Sequence, residues 1–380
     1  MTFFYILFFI ASFTFSFLIN TLFLKFSKTL GIRDKNETVI RWASTSKPAL
    51  GGISFFLVFL ISLASYSIFF QTKEVLWNTR VVGLLGTTTI AFMMGLADDA
   101  YNTKPFLKFF VQIICGAILC YSGIHIGIFP SMALNYILTI FWVVGIMNSI
   151  NMLDNMDAIA TVVSISIFSN AIMLIYLSGA GSNNIHFLIL IGLVASLFGF
   201  LVFNWHPSKL YMGDTGSQIL GLLLAAIGII YFWNDSSSLR DSISISKQLV
   251  IVAIGFALPL ADTTIVFINR VLQKKSPFVG GRDHTTHNLF FRGITEKRIA
   301  LIFAAIGVVG IILIFIIEKR INEWDTTHFA IFSLFPITIF ITLFSLTKIK
   351  KNIRNRETTS GTDIEYPANL PIKNVEENLT

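Results

Sequence analysis

Eleven apolar runs divide the chain into segments of membrane-spanning length. Charged residues or Gly, Pro and Asn segments separate the runs, and a helix needs roughly 20 apolar residues to cross a bilayer. We therefore predict an all-α fold, a polytopic helical bundle with about eleven transmembrane helices. The predicted spans lie near residues 3–24, 50–70, 80–97, 105–121, 132–149, 158–178, 186–203, 216–233, 248–268, 298–317 and 328–346.

Composition agrees with a membrane protein. Hydrophobic residues make up 54% of the chain and charged residues only 13%, against about 25% charged in soluble domains. No basic residue precedes Lys25, whereas a cleaved signal carries positive charge first, so the first run is predicted to remain as a span. Cys115 and Cys120 share one apolar run and predict neither a disulfide nor a metal site.

Basic residues fall mainly on one side of the predicted spans. Twenty-one of the 28 Lys and Arg residues lie in one set of alternate connections, and the opposite set holds only Lys73, Arg80, Arg240, Lys247, Lys319 and Arg320. Because positive loops stay cytoplasmic, we predict a bacterial inner-membrane protein with its N-terminus outside and its C-terminus in the cytoplasm. This topology explains the net charge of +7 without a nucleic-acid partner.

The polar end of the chain is predicted to lie outside the transmembrane domain. We assign residues 1–350 to that domain and residues 351–380 to a disordered cytoplasmic tail, because the tail lacks an apolar period.

Two adjacent acids, Asp98 and Asp99, end the third predicted span. Neighbouring carboxylates repel each other, so a divalent cation or a basic partner would explain their pairing. A solvated helix end is the alternative.

Polar residues recur every third position at the end of the fifth span, at Asn148, Asn151, Asp154 and Asp157. On a helix they would share one slowly drifting face. Two amides and two carboxylates suit a hard cation such as Mg²⁺. The alternative is that they cap and bridge helices.

The segment from Asn204 to Ser217 combines a proline, two glycines and an acid before an apolar span. Gly213 and Gly216 would let the backbone approach a ligand, and the start of the next helix would offer free N–H groups to an anion. Asp214 could then share Mg²⁺ with phosphate oxygens while Lys209 offsets phosphate charge. A plain capping turn is the alternative.

Arg282, His284 and His287 lie in the largest basic connection. No further zinc ligands are evident there, and an arginine beside histidines and glycines suits phosphate binding. Asp262, inside the ninth span, is a buried acid that predicts a functional role, either with a loop Lys or Arg or in bonds to neighbouring helices.

All these polar connections fall on the predicted cytoplasmic side, so they are expected to form one site at that face. In this order they resemble the polyprenyl-phosphate N-acetylhexosamine-1-phosphate transferase superfamily, glycosyltransferase family 4, and most closely its bacterial undecaprenyl-phosphate GlcNAc-1-phosphate transferases. The resemblance runs from about Arg41 to Arg298, and Lys47-Pro48 with Gly51-Gly52 is similar to an early loop of that family.

The resemblance implies roles for individual residues. It implies catalytic roles for Asp98, Asp99, Asp154 and Asp157. It implies that Asn151 and Asp214 ligate Mg²⁺, for which Mn²⁺ could substitute. Substrate-binding positions are expected at Lys108, Asn148, Asn204, Lys209, Arg282, His284 and His287.

Two departures from the family pattern bear on the substrate. Residues 154–160 lack both glycines of the family's DGxDGLA segment, and His284 and His287 stand where pentapeptide transferases have three histidines. The second departure argues against a MurNAc-pentapeptide donor.

The implied reaction moves a sugar 1-phosphate from a UDP-sugar to undecaprenyl phosphate and releases UMP, by direct attack of the lipid phosphate. An ion-coupled transporter is the alternative, but it predicts polar residues near the middle of the spans. A scaffold for envelope assembly would leave the Asn151 and Asp214 segments unexplained.

Overall fold

The structure is a computed structural model that describes residues 2–26, 48–70, 78–179, 184–234, 242–276, 281 and 283–348. Arg282, Lys47 and the predicted tail at 351–380 lie outside these residues. The described helices are α1 (Thr2–Phe26), α2 (Gly51–Phe69), α3 (Thr79–Tyr101), α4 (Pro105–Tyr121), α5 (Met132–Leu153), α6 (Ile159–Leu177), α7 (Ile185–Asn204), α8 (Gly213–Gly228), α9 (Ser242–Gly255), α10 (Ala257–Leu272), α11 (Thr285–Phe290), α12 (Glu296–Arg320) and α13 (Thr326–Lys348).

The all-α membrane architecture is confirmed, because every predicted apolar run is helical. Among the described residues, nine helices are long and apolar enough to span a membrane, while α4 is a shorter apolar helix. A π-helical turn, Ile229–Trp233, extends α8. The chain is therefore a multi-pass membrane protein.

The prediction of one continuous ninth span is wrong. The span is broken between α9 and α10, which meet at 79°. Pro259 explains the break, since it has no N–H to donate and its ring would clash with the carbonyl of Gly255 in a continuous helix. Gly255 also lies against the Phe232 ring, where a Cβ would approach Phe232 Cε1 to 2.4 Å.

Helix α8 forms the centre of the bundle. Every residue from Thr215 to Ile229 is buried, and from Ile219 onward the helix is apolar around its whole circumference, as expected for a buried helix. It packs most extensively against α3 and α5, and also against α2, whereas α13 lies at the periphery.

Two glycines bring neighbouring helices against the first turn of α8. A Cβ on Gly52 would lie 2.2 Å from the backbone nitrogen of Gly216, and one on Gly95 would lie 2.5 Å from Thr215 Cα. Backbone hydrogen bonds from Gly51 to Tyr211 and from Gly52 to Met212 continue this contact. The acids that follow Gly95 in α3 are thereby placed beside the start of α8.

Candidate active site

Four polar side chains from four helices meet at one end of the bundle. Lys108 Nζ forms an ion pair with Asp98 and lies 3.3 Å from Asp214 Oδ1. Asn151 Nδ2 donates to the same Asp214 oxygen at 2.6 Å and to Ser217 Oγ at 2.8 Å. We call Asp98, Lys108, Asn151 and Asp214 the central cluster, and it brings together residues that the sequence predicted for catalysis, phosphate and metal.

Asp98 is fixed within the central cluster by the turn that follows α3. It is buried, and its Oδ1 accepts a hydrogen bond from the backbone N–H of Thr103 at 2.8 Å and another from the Thr103 hydroxyl. Its Oδ2 pairs with the Lys108 ammonium group. The carboxylate therefore holds the ammonium group in place.

Asp99 binds the start of α8 rather than facing the central cluster. Its Oδ1 accepts from the backbone N–H of Asp214 at 3.0 Å, and its Oδ2 accepts from the N–H and hydroxyl of Thr215 at 2.9 and 2.7 Å. Gly213, at φ 72°, gives this carboxylate room, because a Cβ there would lie 2.6 Å from Asp99 Oδ2. Free N–H groups are predicted at the start of this helix, but the Asp99 side chain occupies those of Asp214 and Thr215.

Asp154 follows the end of α5 and is half-buried. Burial raises the pKa of its carboxyl well above the usual range, and the nearby carboxylates of Asp214 and Asp99 raise it further. Asp99, Asp154 and Asp214 come from three separate parts of the chain and lie close enough to influence one another.

The charge balance and donor atoms of this region fit a divalent cation. Among the described residues, Asp98, Asp99, Asp154 and Asp214 supply four carboxyl groups, and Lys108 supplies an ammonium group near them. Carboxylate and amide oxygens are the ligands that Mg²⁺ takes in proteins. Asp214 could offer a carboxylate oxygen to such an ion, and Asn151 an amide oxygen.

Asp157 belongs to a second cluster. Its Oδ2 lies 3.0 Å from His206 Nδ1, and the same nitrogen lies 3.2 Å from Glu296 Oε2. Ser208 donates its backbone N–H and its hydroxyl to the Asp157 carboxylate at 2.9 and 2.7 Å. We call Asp157, His206 and Glu296 the bridging cluster, because it ties the α5–α6 and α7–α8 connections to the start of α12.

The bridging cluster has donor atoms close enough to hold a metal ion, since one ligand atom from each residue lies within 4.8 Å of the others. Hydrogen bonds from Ser208 already engage both Asp157 oxygens, however. An imidazole held between two carboxylates accounts for the geometry without an ion.

Asn204 and Lys209 differ in their exposure to solvent. Asn204 is buried, and its amide accepts from Ala158 N–H at 3.1 Å and Thr161 Oγ1 at 2.8 Å while donating to Leu210 O at 3.2 Å. Lys209 is exposed. In the structure Asn204 joins two connections, and Lys209 remains accessible to a ligand.

Among the described residues, Asp262 pairs with a histidine and not with a Lys or Arg. Its Oδ2 lies 3.0 Å from His284 Nδ1, and its Oδ1 accepts from the N–H and hydroxyl of Thr285 at 2.8 and 2.6 Å. The His287 ring lies against His284, with ring centroids 5.5 Å apart. The expected loop Lys or Arg partner of Asp262 is therefore corrected to His284, and the alternative of bonds within the bundle holds.

Arg270 pairs instead with Asp283. Its Nε and Nη2 donate to the two Asp283 oxygens at 2.7 Å each. Burial disfavours ionisation of Asp283, but the Arg270 guanidinium outweighs it and holds the pKa of that carboxyl below its usual range. This bidentate ion pair holds the chain at Asp283, two residues before α11 begins.

Comparison with known proteins supports the same conclusion as the geometry. Residues 81–232 match the sequence pattern of glycosyl transferase family 4. A phospho-N-acetylmuramoyl-pentapeptide-transferase of Streptococcus agalactiae serotype Ia is 31% identical over 72% of this chain and 85% of its own length. The chain belongs to glycosyl transferase family 4.

Other relatives in family 4 carry related names. A probable undecaprenyl-phosphate N-acetylglucosaminyl 1-phosphate transferase of Bacillus subtilis is 28% identical over 78% of this chain and 79% of its own length. A decaprenyl-phosphate N-acetylglucosaminephosphotransferase of Mycobacterium tuberculosis is 28% identical over 70% of this chain and 71% of its own length. The match at 81–232 contains the whole central cluster, whereas His284 lies beyond it.

Several residues at this family 4 site were not singled out from the sequence. Glu296 of the bridging cluster looks like an ordinary acid in a first helical turn, and Thr103 like a loop residue. Gln112 and Gln218 lie inside apolar runs, where an amide needs a partner, and that position was the available signal.

Proposed function

We propose that this chain transfers a sugar 1-phosphate, of the N-acetylhexosamine type, from a UDP-sugar to undecaprenyl phosphate and releases UMP. The observation that carries the proposal is the central cluster, in which Lys108 lies between Asp98 and Asp214 beside Asn151. It combines one cation for phosphate with oxygen ligands for a divalent metal. The names of the relatives in Bacillus and Mycobacterium support the lipid phosphate and the sugar phosphate.

The metal would be Mg²⁺, with Mn²⁺ as a substitute, held by Asp214 and Asn151. When bound, it would neutralise negative charge on the donor pyrophosphate. Lys108 would contact a phosphate oxygen, and Asp98 keeps that ammonium group charged and oriented. Asp99 holds the backbone of Asp214 in position.

The transfer is a direct displacement. A lipid phosphate oxygen forms a bond to the phosphorus that carries the sugar, the bond from that phosphorus to the bridging oxygen breaks, and UMP leaves with the bridging oxygen. A phosphate monoester has a second pKa near 6, so the nucleophile is already ionised at neutral pH and needs little base catalysis. Asp99 is engaged by three hydrogen bonds, which argues against a covalent aspartyl intermediate.

The donor would bind beside the loop around α11. His284 and His287 lie there, and the sequence predicts the same substrate-binding role for Arg282. Thr286 Oγ1 donates to Asn155 Oδ1 at 2.7 Å, which links α11 to the α5–α6 connection. With two histidines in place of three, we assign a GlcNAc-type sugar rather than a MurNAc-pentapeptide. Asp154, which follows α5, would add a carboxyl group to the same site.

The site is assigned to the cytoplasmic face of the bacterial inner membrane, with the N-terminus outside. Residues 1–350 would form the transfer domain and residues 351–380 a tail outside it. This placement follows from the distribution of Lys and Arg and suits a reaction between a soluble donor and a lipid acceptor.

The test is UMP release by the purified full-length protein with undecaprenyl phosphate, Mg²⁺ and a panel of UDP-sugars. We expect one N-acetylhexosamine donor to give UMP, and Asp214→Asn to abolish it. Asp325→Asn is the matched control, because Asp325 lies exposed at the start of α13. If no donor yields UMP, the transferase proposal fails.

A further inference from the structure

Three amide side chains lie one helical turn beyond the central cluster, on the same helices that supply it. Gln112 follows Lys108 by four residues on α4, Gln218 follows Asp214 by four on α8, and Asn148 precedes Asn151 by three on α5. Because three or four residues make about one turn of roughly 5 Å, each amide lies on the same face as its cluster partner and deeper in the bundle. We call Gln112, Asn148 and Gln218 the amide layer.

The amide layer is one continuous hydrogen-bonded chain, in which Gln112 and Asn148 donate to each other. Asn148 Nδ2 donates to Gln112 Oε1 at 2.7 Å, and Gln112 Nε2 donates to Gln218 Oε1 at 3.1 Å. Asn148 is also tied to its own helix, since its Nδ2 donates to Val144 O at 2.8 Å. The chain therefore joins α5 to α4 and α4 to α8.

Close packing keeps these helices at the distance that the amide layer needs. A Cβ on Gly116 would lie 3.1 Å from Ile140 Cα, and one on Gly221 would lie 2.7 Å from Met147 Cα. The first contact joins α4 to α5, and the second joins α8 to α5. Side-chain amides can then span the short gaps between the backbones.

Apolar side chains at positions 112 and 218 would carry a smaller desolvation cost than the two glutamines. Gln112 and Gln218 are each only 1% exposed, and within the described part of the chain Gln218 Nε2 has no hydrogen-bond partner. A buried polar group without a partner costs about 1–3 kcal/mol. A buried network that carries such a cost fixes one arrangement of the helices, because any shift breaks its bonds.

We propose that Gln112 and Gln218 are positioning residues that, through Asn148, hold α4, α5 and α8 in the register that brings Lys108, Asn151 and Asp214 together. The inference rests on the proposed function, because it assigns those three side chains to phosphate and a divalent cation. Gln112 and Gln218 touch neither substrate nor ion. They act by fixing where the cluster residues stand.

The test measures cation binding as well as turnover. Gln112→Met and Gln218→Met keep the length and helix propensity of each side chain and remove its hydrogen bonds. Mn²⁺ affinity of the purified full-length protein in detergent is followed by electron paramagnetic resonance, and kcat by UMP release. Each variant is expected to weaken Mn²⁺ binding by about tenfold, as is typical of residues behind metal ligands.

Asn170→Leu is the matched control. Asn170 is a buried amide in α6, and its Nδ2 donates to Ser166 O at 3.3 Å within the same helix. It should leave Mn²⁺ affinity and kcat near the parent values even where thermal stability falls. This separates positioning of the cluster from general loss of a buried polar group.

The double variant Gln112→Met/Gln218→Met decides whether the two residues act through one network. Shared action predicts that the double variant binds Mn²⁺ no more weakly than the worse single variant. Additive losses, or parent-like affinity in both single variants, would overturn the proposal. If Gln112→Met is not recovered folded, Gln218→Met alone still tests it, because the Asn148–Gln112 bond stays in place.

The outcomes also distinguish this proposal from the transferase proposal. Weakened Mn²⁺ binding without UMP release from any donor would support the amide layer and reject the transfer reaction. A parent protein that binds no Mn²⁺ would reject the amide-layer proposal, whereas the transferase proposal is decided by UMP release alone.

Discussion

The carboxylate of Asp99 accepts a hydrogen bond from the backbone N–H of Asp214 at 3.0 Å. One of two adjacent acids is thereby used to fix the start of α8, while the other, Asp98, holds Lys108. Two residues that look equivalent in the sequence thus have different roles in the structure.

Replacing Asp99 by Ala should therefore damage both stability and cation binding. The variant loses the side chain that satisfies the first amides of α8, which costs about 1 kcal/mol, and it frees the backbone of Asp214. We expect lower thermal stability in detergent together with weaker Mn²⁺ affinity. Asp325→Ala is the control, because Asp325 accepts from the N–H of His328 at 2.8 Å at the start of α13, far along the chain from the cluster. Equal Mn²⁺ affinities in the two variants would contradict this account.

Lys108→Met should change cation binding and catalysis in opposite directions. Lys108 opposes a divalent cation near Asp214, since like charges repel, so its removal is expected to strengthen Mn²⁺ binding at least about fivefold at low ionic strength. The same change removes the proposed phosphate contact and should lower kcat more than a hundredfold, within the range for charge-stabilising donors. Parallel losses of affinity and rate would show that Lys108 supports the site only structurally.

Mn²⁺ affinity should rise with pH through the titration of Asp154. Burial and the neighbouring carboxylates raise the pKa of Asp154, so this carboxyl keeps its proton at pH values where an exposed aspartate is ionised. A cation must displace that proton, and binding is therefore weaker at low pH. Asp154→Asn should flatten the pH dependence measured by Mn²⁺ titration.

The pH dependence of folding stability has the opposite sign to that of Mn²⁺ binding. Because the folded state raises the pKa, the contribution of Asp154 to stability is present below the unfolded pKa and is lost as pH rises through the folded value. Asp154→Asn should therefore stabilise the cation-free protein at neutral pH. Unchanged pH profiles in both measurements would exclude a role for this carboxyl.

The membrane architecture could be predicted because a bilayer requires a continuous apolar run for each crossing. The meeting of Asp98, Asn151 and Asp214 could also be predicted, since carboxylates at the ends of spans need a cation or a partner nearby. The hydrogen-bond partner of each side chain could not be predicted. Asp99, for example, reaches α8 only because Gly95 lets α3 pack closely against Thr215.

The bridging cluster and the break in the ninth span are two further features that were not predicted from the sequence. Glu296 meets His206 through packing of elements distant in sequence, and no local pattern marks it. The break at Phe256 had a local signal in Pro259, but the uninterrupted hydropathy of the run concealed it. Sequence periodicity indicates which residues are buried, whereas the pairing of polar side chains depends on which helices are in contact.

His206→Ala should destabilise the protein through its two carboxylate neighbours. Without the imidazole, Asp157 and Glu296 face each other directly, which we expect to lower the free energy of unfolding by about 1 kcal/mol. Adding Glu296→Gln should recover part of the loss, because it removes one of the like charges. Thermal unfolding of the single and double variants measures this coupling, and purely additive effects would mean that the three groups do not interact.

Asp262→Ala should weaken binding of the donor sugar nucleotide more than binding of the lipid. Asp262 holds His284 and the first residue of α11, Thr285, through three contacts of 3.0 Å or less. Loss of the carboxylate releases both, so the KM for the UDP-sugar is expected to rise about tenfold while the KM for undecaprenyl phosphate stays near the parent value. Asp262→Asn keeps one accepting oxygen and should recover part of the affinity. A purely structural role would instead lower the amount of folded protein and leave both KM values unchanged in the fraction that remains, which size-exclusion chromatography followed by steady-state kinetics would reveal.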